Sequence, residues 1–68
     1  MVDEKMFRLD GRPALVVGAG SGIGAAIATG FAAVGAVVGC VDLDGDGAKE
    51  TAAAIEAQGG RAIAIACN

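Results

Sequence analysis

The sequence predicts an α/β chain built as one parallel βαβαβ unit. Three observations carry the prediction. Apolar runs at residues 14–17, 36–41 and 62–67 show no polar alternation, which suits parallel strands covered on both faces. Two segments between them have apolar residues spaced near 3.6, the helical period. Four glycines, Gly18, Gly20, Gly22 and Gly24, fill the junction between the first strand and the first helix.

The elements follow in order. Residues 1–10 are a mixed polar arm in which Met6, Phe7 and Leu9 offer an apolar lid for the body. Asp10, Gly11, Arg12 and Pro13 mark a turn. Pro13 can open a strand but not occupy its centre, because it has no N–H for the ladder. Ala14, Leu15, Val16 and Val17 then form the first strand. The first helix is expected to bury the stripe Ile23, Ile27, Phe31 and Val34, with Ala26, Gly30 and Ala33 allowing close approach to the sheet, and to end near Gly35. Ala36 to Val41 make the second strand, closed by Asp42. In the turn at residues 44–47, Asp44 or Asp46 caps the second helix. That helix buries Ala48, Ala52 and Ile55, turns Lys49, Glu50 and Glu56 outward, and stops at Gln58, Gly59 and Gly60. Arg61 leads into the third strand, Ala62 to Cys67.

Composition narrows the function classes. A chain of 68 residues is one small domain at most, and at that size only roughly 60% of the unfolded surface can be buried, so stability is marginal. The two cysteines, Cys40 and Cys67, form no CxxC, and there is no histidine, which argues against structural zinc. Both are expected as buried free thiols of a reducing compartment, the cytoplasm. Five scattered basic residues and a net charge of -3 give no footprint for nucleic acid. Residues 13–41 carry no charge, enough length to cross a bilayer, but their glycine and alanine content and a preceding arm of mixed charge that is not a positive n-region argue against a membrane span.

The glycine run stands where a phosphate belongs. A helix N-terminus offers unpaired N–H groups and the positive end of the dipole. Glycines turn the backbone tightly and let a pyrophosphate approach without a Cβ in the way. Ile23 is expected to send its side chain to the core while its N–H faces the phosphate. Spacing allows two registers, Gly18–Gly22–Gly24 or Gly20–Gly22–Ala25, describing the same turn. Asp42 lies at the second strand's tip, close to the roughly 20-residue spacing of a ribose-binding acid. A 2′-phosphate there would meet a like charge, and neither Ser21 nor Leu43 is an arginine, so NAD is preferred over NADP. The plainer readings are a structural glycine turn, a strand-end acid at Asp42 and a solvated hydroxyl at Ser21.

With these residues in view, LDGRPALVVGAGSGIGAAIATGFAAVGAVVGCVDLD followed by AAAIEAQGGRAIAIACN resembles the N-terminal segment of a short-chain dehydrogenase/reductase, a family of NAD(P)-dependent oxidoreductases with a Rossmann-like fold. The family's glycine motif opens with threonine, where this chain has Val17, while Gly18, Gly22 and Gly24 match; Pro13 stands where valine is frequent. The resemblance implies that Asp42 is the acid associated with NAD, that Leu43 packs beside the adenosine, and that Asn68 takes the place of an aspartate contacting the adenine amino group. The cofactor-binding set is then Gly18, Gly20, Ser21, Gly22, Ile23, Gly24, Asp42, Leu43 and Asn68. It also implies hydride transfer between nicotinamide and an alcohol or ketone in a homo-oligomeric full-length form. The family's catalytic serine, tyrosine and lysine are expected beyond residue 68, and this chain has no tyrosine. Residues 1–68 are therefore expected as a truncated Rossmann-like half-domain, inactive alone, with sheet order 3-2-1. Both crossover helices then lie on one face, leaving the other face and the edge of the first strand uncovered. A non-enzymatic half-domain that pairs this face with a partner chain is the alternative.

Overall fold

The computed structural model describes residues 9–67. Its elements are β1 (Pro13–Val17), α1 (Gly22–Ala33), β2 (Val37–Asp42), α2 (Gly45–Ala57) and β3 (Arg61–Ala66). All strand pairs are parallel, with Val16 opposite Cys40 and Cys40 opposite Ala64. The strands lie in the order β1-β2-β3. This corrects the expected order 3-2-1. Each crossover moves the chain one strand in the same direction, so spatial order follows sequence order and β1 is an edge.

Strand parity separates the two faces. Ala14, Val16, Val38, Cys40, Ala62 and Ala64 belong to one face, where α1 packs on β1 and β2 and α2 packs on β2 and β3. The core consists of small side chains from this face with Ala28 of α1 and Ala48, Ala52 and Ile55 of α2. Val38, Cys40 and Ile55 are its largest fully buried side chains. The α2 stripe is the one the sequence predicts. Leu15, Val17, Ile63 and Ile65 have the opposite parity and are exposed, so the second face is bare as expected.

Helix α1 departs from expectation. Ile23, Ile27 and Phe31 are exposed, and Ala28 is the buried residue, with Ala32 packed beside it. The buried stripe is shifted by one residue, about 100° around the helix. Close approach decides this: a Cβ at Gly24 would strike the carbonyl of Gly18. Larger side chains on that face would hold the helix away from the sheet.

The uncharged run 13–41 folds as β1, α1 and most of β2, and among the described residues no helix is long and apolar enough to cross a membrane. Leu9 packs against the core and its N–H donates to the Val34 carbonyl at 2.7 Å. Met6 and Phe7 lie outside the described residues. Cys40 is buried as expected, but Cys67 is exposed. Cys67 follows the end of β3 and shares the parity of Ile63 and Ile65, so it falls to the bare side.

Candidate functional site

The glycine loop links the C-terminal end of β1 to α1, and its backbone explains its residues. Gly18 and Gly22 have φ of 79° and 53°, a region that disfavours side chains. Gly24 has no room for a Cβ. These three needs select the register Gly18–Gly22–Gly24, which spacing alone leaves open. Gly20 has an ordinary φ but lies against Asp42, and a Cβ there would sit 2.7 Å from Asp42 Oδ2.

Asp42 is the anchor of the loop. Its Oδ2 accepts the Gly20 N–H at 2.7 Å, and its Oδ1 accepts the Asp44 N–H at 2.9 Å. The Asp44 bond and then the Gly20 bond hold its carboxyl below the usual carboxylate value, with Leu43 N–H adding to them and partial desolvation opposing. A carboxylate offers about four lone-pair positions, so capacity remains beside the backbone donors for a further one.

The two helix starts differ in a way that bears on anions. Asp44 caps α2, accepting the Gly47 N–H at 3.1 Å, and Asp46 lies in its first turn. Helix α1 has Ser21 at its N-cap with no side-chain capping bond and no acid in its first turn. The positive end of α1 is therefore free of side-chain compensation. Ser21 is exposed and its hydroxyl is not used as a cap. Ile23 is 81% exposed, which corrects the expectation that its side chain enters the core.

Beside the loop, at the C-terminal ends of the strands, lies a cleft of about 370 Å³ lined by Val17, Gly18, Val41, Asp42, Leu43 and Cys67. Its walls are apolar apart from Asp42, and Leu43 stands exposed at its side. A second cavity of about 260 Å³, between the C-terminal ends of α1 and α2, is lined by Thr29, Ala32, Ala33, Ile55, Gln58 and Gly60 and has no ionisable group.

The fold thus brings Gly18, Gly20, Gly22, Gly24, Asp42 and Leu43 to one end of the sheet, with Ser21 and Ile23 at the start of α1. Asn68 lies outside the described residues. Sequence reasoning missed four participants. Cys67 and Val41 line the cleft, and strand parity was the signal that would have found them. Gly47 of α2 lies so close that a Cβ would be 2.6 Å from the Gly20 carbonyl oxygen. Thr51 donates its hydroxyl to the Ala19 carbonyl at 2.7 Å; a hydroxyl inside an otherwise apolar helical stripe was its only trace in the sequence.

Comparison with known proteins agrees with this geometry. A family model for short chain dehydrogenase matches residues 12–68. A D-threitol dehydrogenase of Mycolicibacterium smegmatis is 50% identical over 62 residues, covering 91% of this chain and 24% of that protein. A 7α-hydroxysteroid dehydrogenase solved with NADH and 7-oxo glycochenodeoxycholic acid superimposes with a TM-score of 0.91 at 41% identity, covering 100% of this chain and 27% of that one. A Beutenbergia cavernae protein assigned as an NAD(P)-dependent gluconate 5-dehydrogenase, solved with NADP at low occupancy, gives a TM-score of 0.86 at 50% identity, covering 91% of this chain and 24% of that one. The chain spans about a quarter of the length of these relatives.

Proposed function

Because the chain belongs to the short-chain dehydrogenase family, we propose that its residues form the adenosine and diphosphate side of a nicotinamide-dinucleotide site that serves hydride transfer between nicotinamide and an alcohol or ketone. The observation that carries this is the uncapped start of α1 beside a glycine loop that Asp42 holds in place. The residues fit the cofactor. Gly18, Gly20, Ser21, Gly22, Ile23 and Gly24 supply the backbone that would face a diphosphate, with Ser21 as a hydroxyl donor. Asp42 has acceptor capacity left for ribose hydroxyls. The apolar cleft and Leu43 suit an adenine ring. Asn68 would receive the adenine amino group, following the family resemblance. The bound dinucleotide supplies the hydride acceptor or donor. This chain's residues bind and orient it; none of them is assigned a proton-transfer role.

The preference for NAD over NADP rests on Asp42, whose lowered pKa keeps it charged at neutral pH, where a 2′-phosphate would be repelled. One relative is solved with NADH and another with NADP, so the family alone does not choose. The test is an NMR titration of the chain with NAD+ and NADP+. Shifts of the amides of residues 18–24 at millimolar NAD+ are expected, with weaker response to NADP+. In Asp42→Ala, NAD+ binding falls more than NADP+ binding. Equal losses leave Asp42 only a loop-bracing role, and absence of loop shifts at millimolar NAD+ removes the dinucleotide reading.

The bare sheet face favours a second reading, a half-domain paired with a partner chain. Val17 is 81% exposed and Leu15 72%, more than a lone stable sheet ordinarily leaves to water. A discrete dimer with cooperative melting supports this reading, and a well-folded monomer rejects it.

A further inference from the structure

We propose that Thr51, on α2 and outside the glycine motif, is a positioning residue that fixes the Ala19–Gly20 peptide and so preorganises the loop for its ligand. The proposal rests on the dinucleotide reading for the identity of that ligand. Thr51 is the one buried polar side chain among the described residues, at 8% exposure. A helical threonine ordinarily satisfies its hydroxyl on the carbonyl four residues earlier. Thr29 does so, donating to Ala25 O at 2.9 Å. Thr51 instead reaches out of its helix to Ala19 O at 2.7 Å.

The same peptide plane is held at its other end. Its N–H, that of Gly20, donates to Asp42 Oδ2 at 2.7 Å. The peptide unit is planar, so fixing its carbonyl and its N–H together fixes its orientation. One restraint comes from α2 and the other from the tip of β2. The preceding amides are tied as well, since Gly18 and Ala19 N–H both donate to Val41 O, at 2.8 and 3.2 Å. The packing is tight: Ala19 is fully buried, and Gly47 lies against Gly20. The next residues are Ser21 and Gly22, where α1 begins and where the diphosphate would be met. A loop oriented before binding loses less freedom on binding. Asp42 and Thr51 thus have separate duties on one peptide, and only Asp42 faces the cleft.

The test uses Thr51→Val, which keeps shape and removes the hydroxyl, and Thr51→Ser, which keeps the hydroxyl. Amide exchange and amide shifts are read at Ala19, Gly20 and Gly22, with Val38 and Cys40 as core references, and NAD+ affinity is read by NMR titration. In T51V the loop amides exchange faster relative to the core references, the Gly20 amide moves, and the NAD+ dissociation constant rises about tenfold, the change one ordinary hydrogen bond carries. T51S restores both. Unchanged relative exchange in T51V overturns the proposal, as does an affinity loss without loosening of the loop. If T51V does not fold, T51S decides: wild-type loop exchange supports the role and a loosened loop overturns it. Failure of the wild-type chain to respond to NAD+ counts against the dinucleotide reading, while the exchange measurements still judge the clamp.

Discussion

Gly24→Ala and Gly30→Ala make the same chemical change on the same helix, and their surroundings give opposite expectations. At Gly24 a Cβ would strike the Gly18 carbonyl and come within 3.2 Å of Ala19 N. These are backbone atoms at the end of β1, so no rotamer change relieves the contact and α1 must step away from the sheet. Overpacking of this kind costs about 1–3 kcal/mol, and the unyielding partner favours the upper end. Helix propensity returns at most about 1 kcal/mol, leaving a net loss near 2 kcal/mol. At Gly30 nothing lies within 4 Å of the new Cβ, so alanine gains about 0.5–1 kcal/mol. With a urea slope of about 1 kcal/mol/M for a small domain, the midpoint measured by far-ultraviolet circular dichroism falls by about 2 M for G24A, or folding is lost outright. It rises by about 0.5–1 M for G30A. A G24A midpoint at or above wild type would refute the reasoning, because close packing would then not be what requires glycine there.

Three further outcomes follow from the same structure. Asp42 has a carboxyl held below its ordinary 3.8 by backbone N–H donors, so its stabilisation of the loop is fully present above the unfolded value and is lost as pH falls through the lower folded one. The Gly20 amide should therefore titrate with a midpoint below 3.8 by NMR, and a midpoint at or above 3.8 rejects the assigned bonds. Cys67 should react at once with a disulfide reagent in the native chain, whereas Cys40, buried and with its thiol pKa raised by desolvation, should react only on unfolding; equal rates contradict the burial pattern. Val17→Thr and Ile63→Thr on the bare face should leave stability within about 0.5 kcal/mol while reducing self-association in sedimentation, and a loss above about 1.5 kcal/mol would show that this face is covered.

Much of the architecture was legible because period and punctuation are local properties. Pro13 marks the start of β1, Gly35 falls just past α1, and Ala48, Ala52 and Ile55 lie on one side of α2. Helix α1 was misread because its apolar residues surround much of its circumference. Hydrophobicity then favours Ile23, Ile27 and Phe31, while contact distance to the sheet favours Ala28. Cys67 was misread because its run of apolar neighbours hides the alternation of faces along β3.

By itself the sequence determined the alternation of strands and helices, the place of the glycine loop and the acid at the end of β2, since each depends on residues near in the chain or on a fixed spacing. Only the tertiary structure decided which glycines the loop cannot replace, which capping acid α2 uses, and that Asp42 and Thr51 meet on one peptide. Those facts depend on distances between groups 22 and 32 residues apart, which no local pattern encodes and which packing of both helices against one sheet face brings about.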